Sequence, residues 1–459
     1  MGKKIDKRIP LKLEPPLYDA EDVKYWKAMK QYWKERGQPW RTEPEIDEER
    51  QKFLSERRSI TPNSQQGIYP FKDIKLSRAD IEWLLATHEN GRGPINWSDE
   101  SQRGRYGLDV RGADLRNVNL MRLPLACLGR VKDEIVDEGI MTFGTTRNDA
   151  STIHLEGTTL AQAHLEGADL SNANLEKAFI IEANLAEADF NYANLKEAQF
   201  WKSNLKGAWF WGAHLEGANL SETHLEGAIL KYAHLEGANI QGAFFDNLTL
   251  LNESTFGDTK YGAVALADVH WGDVNLAVVD WSEISILGDE VEARNRRKDD
   301  DRDKVIYERY LDYQTAARAY RQLVIVLRNQ GLNEDAARFS YRAQLMQRKL
   351  FWYEQKYAKY LGSLFLDLLS GYGYRPVRCF IAYAIVISIF AIIYLLLGVH
   401  LAWNEAIVIS MTAFHGRGFF PEQFHPGDPQ ALVAAIEAFV GLLIEVTFIA
   451  TLTQRLFGK

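Results

Sequence analysis

The sequence predicts a protein in three parts: a solenoid of square cross-section, a group of helices, and a membrane hairpin of two spans around a short re-entrant helix. Three observations predict it. Nearly every fifth residue from Leu155 to Leu250 is Leu, Ile or Phe. Two runs near the C-terminus, 379–399 and 431–452, are apolar over about 20 residues each, the length a bilayer core requires. Between them, 403–420 reads WNEAIVISMTAFHGRGFF, an apolar helical piece too short to span, followed by glycines.

Residues 1–106 are charged and rich in Trp and Pro. In 21–36, Val23, Trp26, Met29 and Trp33 recur at helical spacing, and 45–58 reads as a second helix. Ser77-Arg78-Ala79-Asp80 is a capping box that opens a third helix through Leu85, and Asn90-Gly91 ends it. Trp83 and Leu84 give that helix an apolar face, so 1–106 is expected to cap the neighbouring repeats.

Residues 107–288 carry the solenoid. Leu115 and Leu120 start the five-residue rhythm, a charged insertion at 131–148 interrupts it, and from Leu155 to Leu250 it is unbroken over twenty units. Two places before the large residue stands Ala, as at Ala163, Ala168 and Ala173. A period of five fits neither an α-helix nor a strand. It fits a coil with one unit per side, with the large residue and the small Ala both pointing inward. After a break at 256–264 the period is expected to resume one residue out of register, at Leu266, Trp271, Leu276, Trp281 and Ile286, with Trp closing the end. The position before the central Leu points outward. There His214 and His234 are expected to stack one coil apart, on a surface shaped by repeat duplication. Tyr192, Trp211 and Tyr232 form an outer aromatic column, read as a contact surface for a neighbouring subunit.

Residues 289–374 form a helical linker domain. The run 289–303 is highly charged and is expected to be solvated. Three helices come next, at 304–329, 333–350 and 353–370, with a break at Gln330-Gly331 and Asn333 placed to cap the second. In the third, Leu361, Leu364, Phe365, Leu368 and Leu369 share one face, the pattern of an interfacial or linking helix that passes movement to the first span.

Residues 375–459 form the membrane domain. Arg375 and Arg378 precede the first span, and Arg455 and Lys459 follow the second, so both termini are expected in the cytoplasm. No signal peptide is read in Met1-Gly2-Lys3-Lys4 and the charged sequence after it. Net charge is −8, and the two cysteines, Cys127 and Cys379, are far apart and form neither a disulfide framework nor a metal cluster. No nucleotide-binding loop, metal spacing or catalytic triad is found, so neither an enzyme nor a cofactor is expected.

The units ADLSN, ANLKE and AHLEG closely resemble the pentapeptide-repeat family, which implies a right-handed quadrilateral β-helix with four units per coil. Twenty units then make a rod about 24 Å tall, taking ~4.8 Å per coil. Residues 377–456 resemble the two-helix pore module of bacterial potassium-type channels, most closely at AIEAFVGLLIEVTFIATLTQRLF, where Gly441 occupies the hinge position. Together with the lead-in Gly371-Tyr372-Gly373-Tyr374-Arg375-Pro376, the chain is similar to bacterial pentapeptide-repeat proteins bearing such a pore. That resemblance implies a tetramer in the bacterial inner membrane.

Potassium filters read Thr-Val-Gly-Tyr-Gly. This chain offers either Thr412-Ala413-Phe414-His415-Gly416, which loses a glycine, or Phe414-His415-Gly416-Arg417-Gly418, which loses the threonine. Potassium selectivity is therefore not carried over. Glu437, Gly441 and Glu445 lie on one face of the second span, with Phe448 following as a further pore-lining or gate position. Glu445 is expected to face the pore. Glu437 faces it or serves structure, and both readings stand. Arg417 is expected to turn outward and pair with Glu422 or Asp428.

Two functions remain. One is a weakly selective cation channel whose partners are the bilayer, three further copies of the chain, permeant inorganic ions and an unidentified cytoplasmic ligand or protein. The other is a membrane-tethered scaffold or DNA mimic, since the array is acid-rich and some pentapeptide-repeat proteins resemble B-form DNA. The hairpin favours the channel, because an anchor needs neither a re-entrant helix nor intramembrane carboxylates. Binding of nucleic acid is not expected.

Overall fold

The structure, a computed structural model, describes residues 20–63, 66–131, 152–297, 302–375, 377–397, 401–416 and 427–457. The chain divides into two compact units, Met1–Val305 and Ile306–Lys459.

In the first unit, helices α1 (Ala20–Glu35), α2 (Glu48–Arg58) and α3 (Arg78–Ala86) precede the solenoid. The Ser77 capping box forms as the sequence predicts, with Asp80 returning a bond to the Ser77 amide. α4 (His88–Gly91) is a single turn broken by left-handed Glu89 and Asn90. One carboxylate organises this region. Glu82, fully buried, accepts from the amides of Thr42 and Glu43 and from Arg78 Nε at 2.8 Å. It fastens the segment after α1 onto α3. The cap then joins the first coil as an extra rung, with the Leu76 amide donating to Asp114 at 3.0 Å.

Coils stack by parallel bridges between residues twenty apart, such as His154 with Asn174, His214 with His234 and Asn219 with Asn239. The central Leu, Ile and Phe of each unit and the Ala two places earlier are buried. Where a hydroxyl replaces Ala it finds a carbonyl: Thr158 donates to Leu115 at 2.7 Å and Thr223 to Leu220 at 2.6 Å. Phe190 stacks on Phe210 along the axis, 5.1 Å between centroids. Two places after each central residue the backbone turns left-handed, at Asn172, Glu182 and Tyr192 among others, which explains the recurrent Gly there. Bridges from Asp114 to His154 and from Pro124 to His164 span forty residues, so the coil before the insertion is continuous with the rest. Apart from Val131, the insertion lies outside the described residues.

Two expectations are corrected at the far end. The register slip lies at 246–250 and not at 256–264. Leu250 is the outward residue, bridging Ile229 twenty-one places back, and Leu251 is in the core. Asp246 absorbs the extra residue by accepting from the amides of Gly227, Leu248 and Thr249. At 256–264 a two-stranded hairpin, β1 (Gly257–Asp258) with β2 (Gly262–Ala263), adds five residues and keeps phase. Trp271 and Trp281 do close the end, the first stacked on Phe245 and the second tilted against Phe256, although Leu287 fills the core in place of Ile286. The second correction concerns the charged run from 289. There α5 (Gly288–Arg294) docks on the last coil, with Asp289 and Glu290 buried. Asp289 accepts from the Leu266 amide and from Gln241 Nε2, both at 2.6 Å.

In the second unit α6 (Ile306–Asn329) and α7 (Asn333–Tyr353) form an antiparallel pair with Tyr320, Leu323, Phe339 and Met346 between them. α8 (Tyr357–Ser370) ends at left-handed Gly371. Then come α9 (Val377–Leu397), α10 (Trp403–Phe414) and α11 (Pro429–Phe457). α9, and α11 from Pro429 to Ala450, are long and apolar enough to cross a membrane. At 1.5 Å per residue they rise about 32 Å, while α10 rises only about 18 Å.

Candidate pore site

The short helix α10 packs against both span-length helices. Small residues let the three approach: Ala391 of α9, Ala406 and Ala413 of α10, and Ala434 of α11 share one buried cluster. At the start of α10, Glu405 reaches back to the Ala402 amide at 2.9 Å. At its end the backbone comes so close to α11 that a Cβ on Gly441 would lie 2.1 Å from the Phe414 carbonyl oxygen. Close approach is thus a reason for glycine at 441, separate from the hinge that the resemblance implies.

Glu437 lies within the packing of the three helices of this chain. It is fully buried, with Oε2 accepting from the Tyr394 hydroxyl of α9 at 2.9 Å and Oε1 from the Ser410 hydroxyl of α10. One carboxylate therefore ties all three helices, and it does not line an open face.

Glu445, two turns further on, is partly exposed and meets His415 Nδ1 through Oε1. His415 Nε2 lies 3.2 Å from the Tyr383 hydroxyl, so a Tyr383–His415–Glu445 chain crosses from α9 to α11 at the end of α10. Phe448 stacks edge-on against Phe380 of α9, 4.9 Å between centroids. Those residues border a largely apolar pocket of about 340 Å³ that Cys379 and Ile444 also line.

Three of the filter-region residues lie inside α10. Thr412, Ala413 and Phe414 are helical; Ala413 and Phe414 are buried, and the Thr412 hydroxyl bonds back to Val408 and Ile409. None of the three offers the extended carbonyl of a filter strand. His415 and left-handed Gly416 follow the helix, while Arg417, Gly418 and Glu422 lie outside the described residues.

A polar clasp that sequence reasoning missed joins α7, α8 and the start of α9. Asp367 of α8 accepts from Arg348 Nη1 at 2.7 Å and Tyr341 at 2.9 Å, both on α7, and from Arg378 of α9 at 3.1 Å. Burial pushes its pKa up, but the Arg348 and Tyr341 hydrogen bonds and the nearby arginine charges outweigh it and hold the carboxyl below its usual value. The only signal in the sequence was an acid off the apolar face of an otherwise apolar helix. Among the described residues, no group of His, Cys, Asp and Glu could hold a metal ion.

On the solenoid His214 and His234 stack as expected, 4.9 Å apart, and each reaches the Glu two places on. A second stack, His224–Phe244–His270, runs along another side. The aromatic column is looser than expected: Trp211 meets Tyr232, whereas the Tyr192 ring lies over Gly212.

Residues 153–185, 183–221 and 210–247 match the family described as pentapeptide repeats (8 copies). Among solved structures, HetL, a pentapeptide repeat protein involved in heterocyst differentiation regulation from the cyanobacterium Nostoc, is 28% identical. That match covers 36% of this chain and 66% of HetL, just under two thirds, with a TM-score of 0.17. A pentapeptide repeat protein from the thylakoid lumen of Arabidopsis thaliana is 25% identical over 24% of this chain and 68% of its own, with a TM-score of 0.16. A plasmid-mediated fluoroquinolone resistance protein is 17% identical over 37% and 81%, with a TM-score of 0.18. No curated protein matches the sequence.

Proposed function

We propose that this pentapeptide-repeat protein is one subunit of a homotetrameric ion channel, a weakly selective cation pore in a bacterial inner membrane. Both termini lie in the cytoplasm, where the solenoid and helices act on the pore and present a surface to an unidentified ligand or protein. It is not an enzyme and does not bind nucleic acid. The observation that carries this reading is α10, a helix too short to span, held between two span-length helices by the buried Glu437. Irregular backbone at membrane depth persists where protein buries it or water reaches it. His415 and Gly416, which leave the helix at the end of α10, are such a place, and Glu445 beside them supplies the negative charge that favours cations. Four copies close the path by symmetry.

Native mass spectrometry of the detergent-solubilised full chain tests the assembly. A tetramer is expected. A monomer or dimer would favour the alternative, a tethered scaffold without conduction, and would end the pore reading.

A further inference from the structure

We infer that α8 lies in the cytoplasmic-side interface of the lipid bilayer, with Leu361, Leu364, Phe365 and Leu368 set among the acyl chains and Tyr357 at headgroup level. The inference rests on the membrane reading above and adds a second, non-spanning contact with lipid. These five positions recur at i, i+4, i+7, i+8 and i+11, one face of the helix. All five are exposed, Leu361 at 61% and Leu368 at 74%. In the neighbouring α6 and α7 the large apolar residues of the packed faces, such as Leu323, Leu327, Phe339 and Leu350, are buried. An unbroken exposed stripe of this size marks a contact surface.

The helix is not free to turn that stripe inward. Its other side is held by Asp367, bonded to Tyr341, Arg348 and Arg378, and by Ser363, whose hydroxyl meets Tyr372 at 2.6 Å. Its last turn is held too, with Leu369 packed in the cluster of Ile387, Phe414 and Ile444.

Lipid is the occupant for three reasons. After Gly371 the chain passes within a few residues into α9, whose own exposed residues, Val377, Ile381 and Ile385, continue an apolar surface. α8 has 14 residues and rises about 21 Å, too short to cross, which suits a helix lying in the interface. Its N-terminal end carries an aromatic group, Trp352 with Tyr357 at 5.7 Å and with Tyr360 at 5.4 Å, beside exposed Lys356 and Lys359. Indole and phenol rings sit at headgroup level, where one edge is apolar and the other wet.

The test uses the full chain in liposomes with an environment-sensitive fluorophore at one of three positions, Leu364→Cys on α8, Ile385→Cys on α9 or Asn329→Cys in the exposed end of α6. Cys127 and Cys379 are replaced by Ala. Lipids brominated near the carbonyl end or near the methyl end of the chain serve as quenchers. Leu364→Cys is expected to lose at least about twofold of its fluorescence to the shallow bromines and less to the deep ones, as an interfacial helix should. Ile385→Cys is expected to be quenched more by the deep bromines, and Asn329→Cys by neither. Adding Leu361→Glu and Leu368→Glu should abolish the quenching at 364. An unquenched label at 364 with a quenched one at 385 overturns the proposal and leaves the spans intact; disulfide capture between Leu364→Cys copies would then name a second copy as the occupant. Labels unquenched at both positions overturn the membrane reading itself.

Discussion

The solenoid and the hairpin both bury polar groups, and they satisfy them in opposite ways. In the solenoid the buried hydroxyls of Thr158, Thr223 and Ser254 each stand where Ala usually stands and each find a backbone carbonyl. The partner is a backbone carbonyl of the same or the adjacent coil, so the position tolerates the change. In the hairpin Glu437 depends on two side chains from two other helices, Tyr394 and Ser410, 43 and 27 residues away. Repetition makes local polar changes cheap in one region, while a single junction makes them costly in the other.

The strongest way to break this contrast is a charge on the solenoid axis. Leu195→Asp should cost several kcal/mol, because a buried carboxylate there has no partner, and should remove the cooperative thermal transition of the first unit. Ala193→Ser, two places earlier, should cost under about 1 kcal/mol if the coil supplies a carbonyl as it does for Thr158. An equal loss from both would dissolve the distinction.

Next in size is Glu437→Leu. Removing the carboxylate strands the Tyr394 hydroxyl at about 1–3 kcal/mol, while the Ser410 hydroxyl keeps the Ile387 carbonyl 3.0 Å away. Thermal stability in detergent should fall sharply, and Glu437→Gln, which keeps an acceptor, should recover part of it. Gly441→Ala should rank after it, at about 1–3 kcal/mol, since the new methyl meets the Phe414 carbonyl and α10 must shift. A variant as stable as the parent would leave hinge flexibility as the only role for that glycine.

The smallest effect concerns pH and the solenoid surface. The Glu166 hydrogen bond, more than the opposing burial, raises the His164 pKa above the usual histidine value. A raised folded value means the stabilisation is present in full below about 6.5 and is lost as pH rises through the folded value. Because the ring is largely solvent-exposed the effect should stay below about 1 kcal/mol, and His164→Ala should flatten this part of the pH profile.

What could be read in the sequence respects the same divide. The five-residue period was legible because every unit repeats one chemical choice inside, Leu or Phe with Ala. The slip at 246–250 was not, because Leu250 and Leu251 are both apolar and only the bonds to Asp246 decide which turns inward. Composition misplaced Asp289: a run of charges reads as solvated, yet this carboxylate caps two amides of the last coil. In the hairpin the existence of three helices was legible from length and hydropathy. The end of α10 was not, since a resemblance aligned Thr412 to Phe414 with an extended filter and the helix simply continues through them. The partners of Glu437 and Asp367, and the Thr42 and Glu43 amides that meet Glu82, come from outside their own helices, and no local pattern announces them.

Selectivity tests the channel reading most directly. With the full chain reconstituted in a planar bilayer under bi-ionic conditions, unitary currents are expected with little discrimination between potassium and sodium. Preference for cations over chloride is expected to shift toward anions in Glu445→Gln, because the carboxylate beside His415 is then neutral. A reversal potential at the chloride equilibrium in the wild-type chain, or no unitary current from a verified tetramer, would contradict a cation pore.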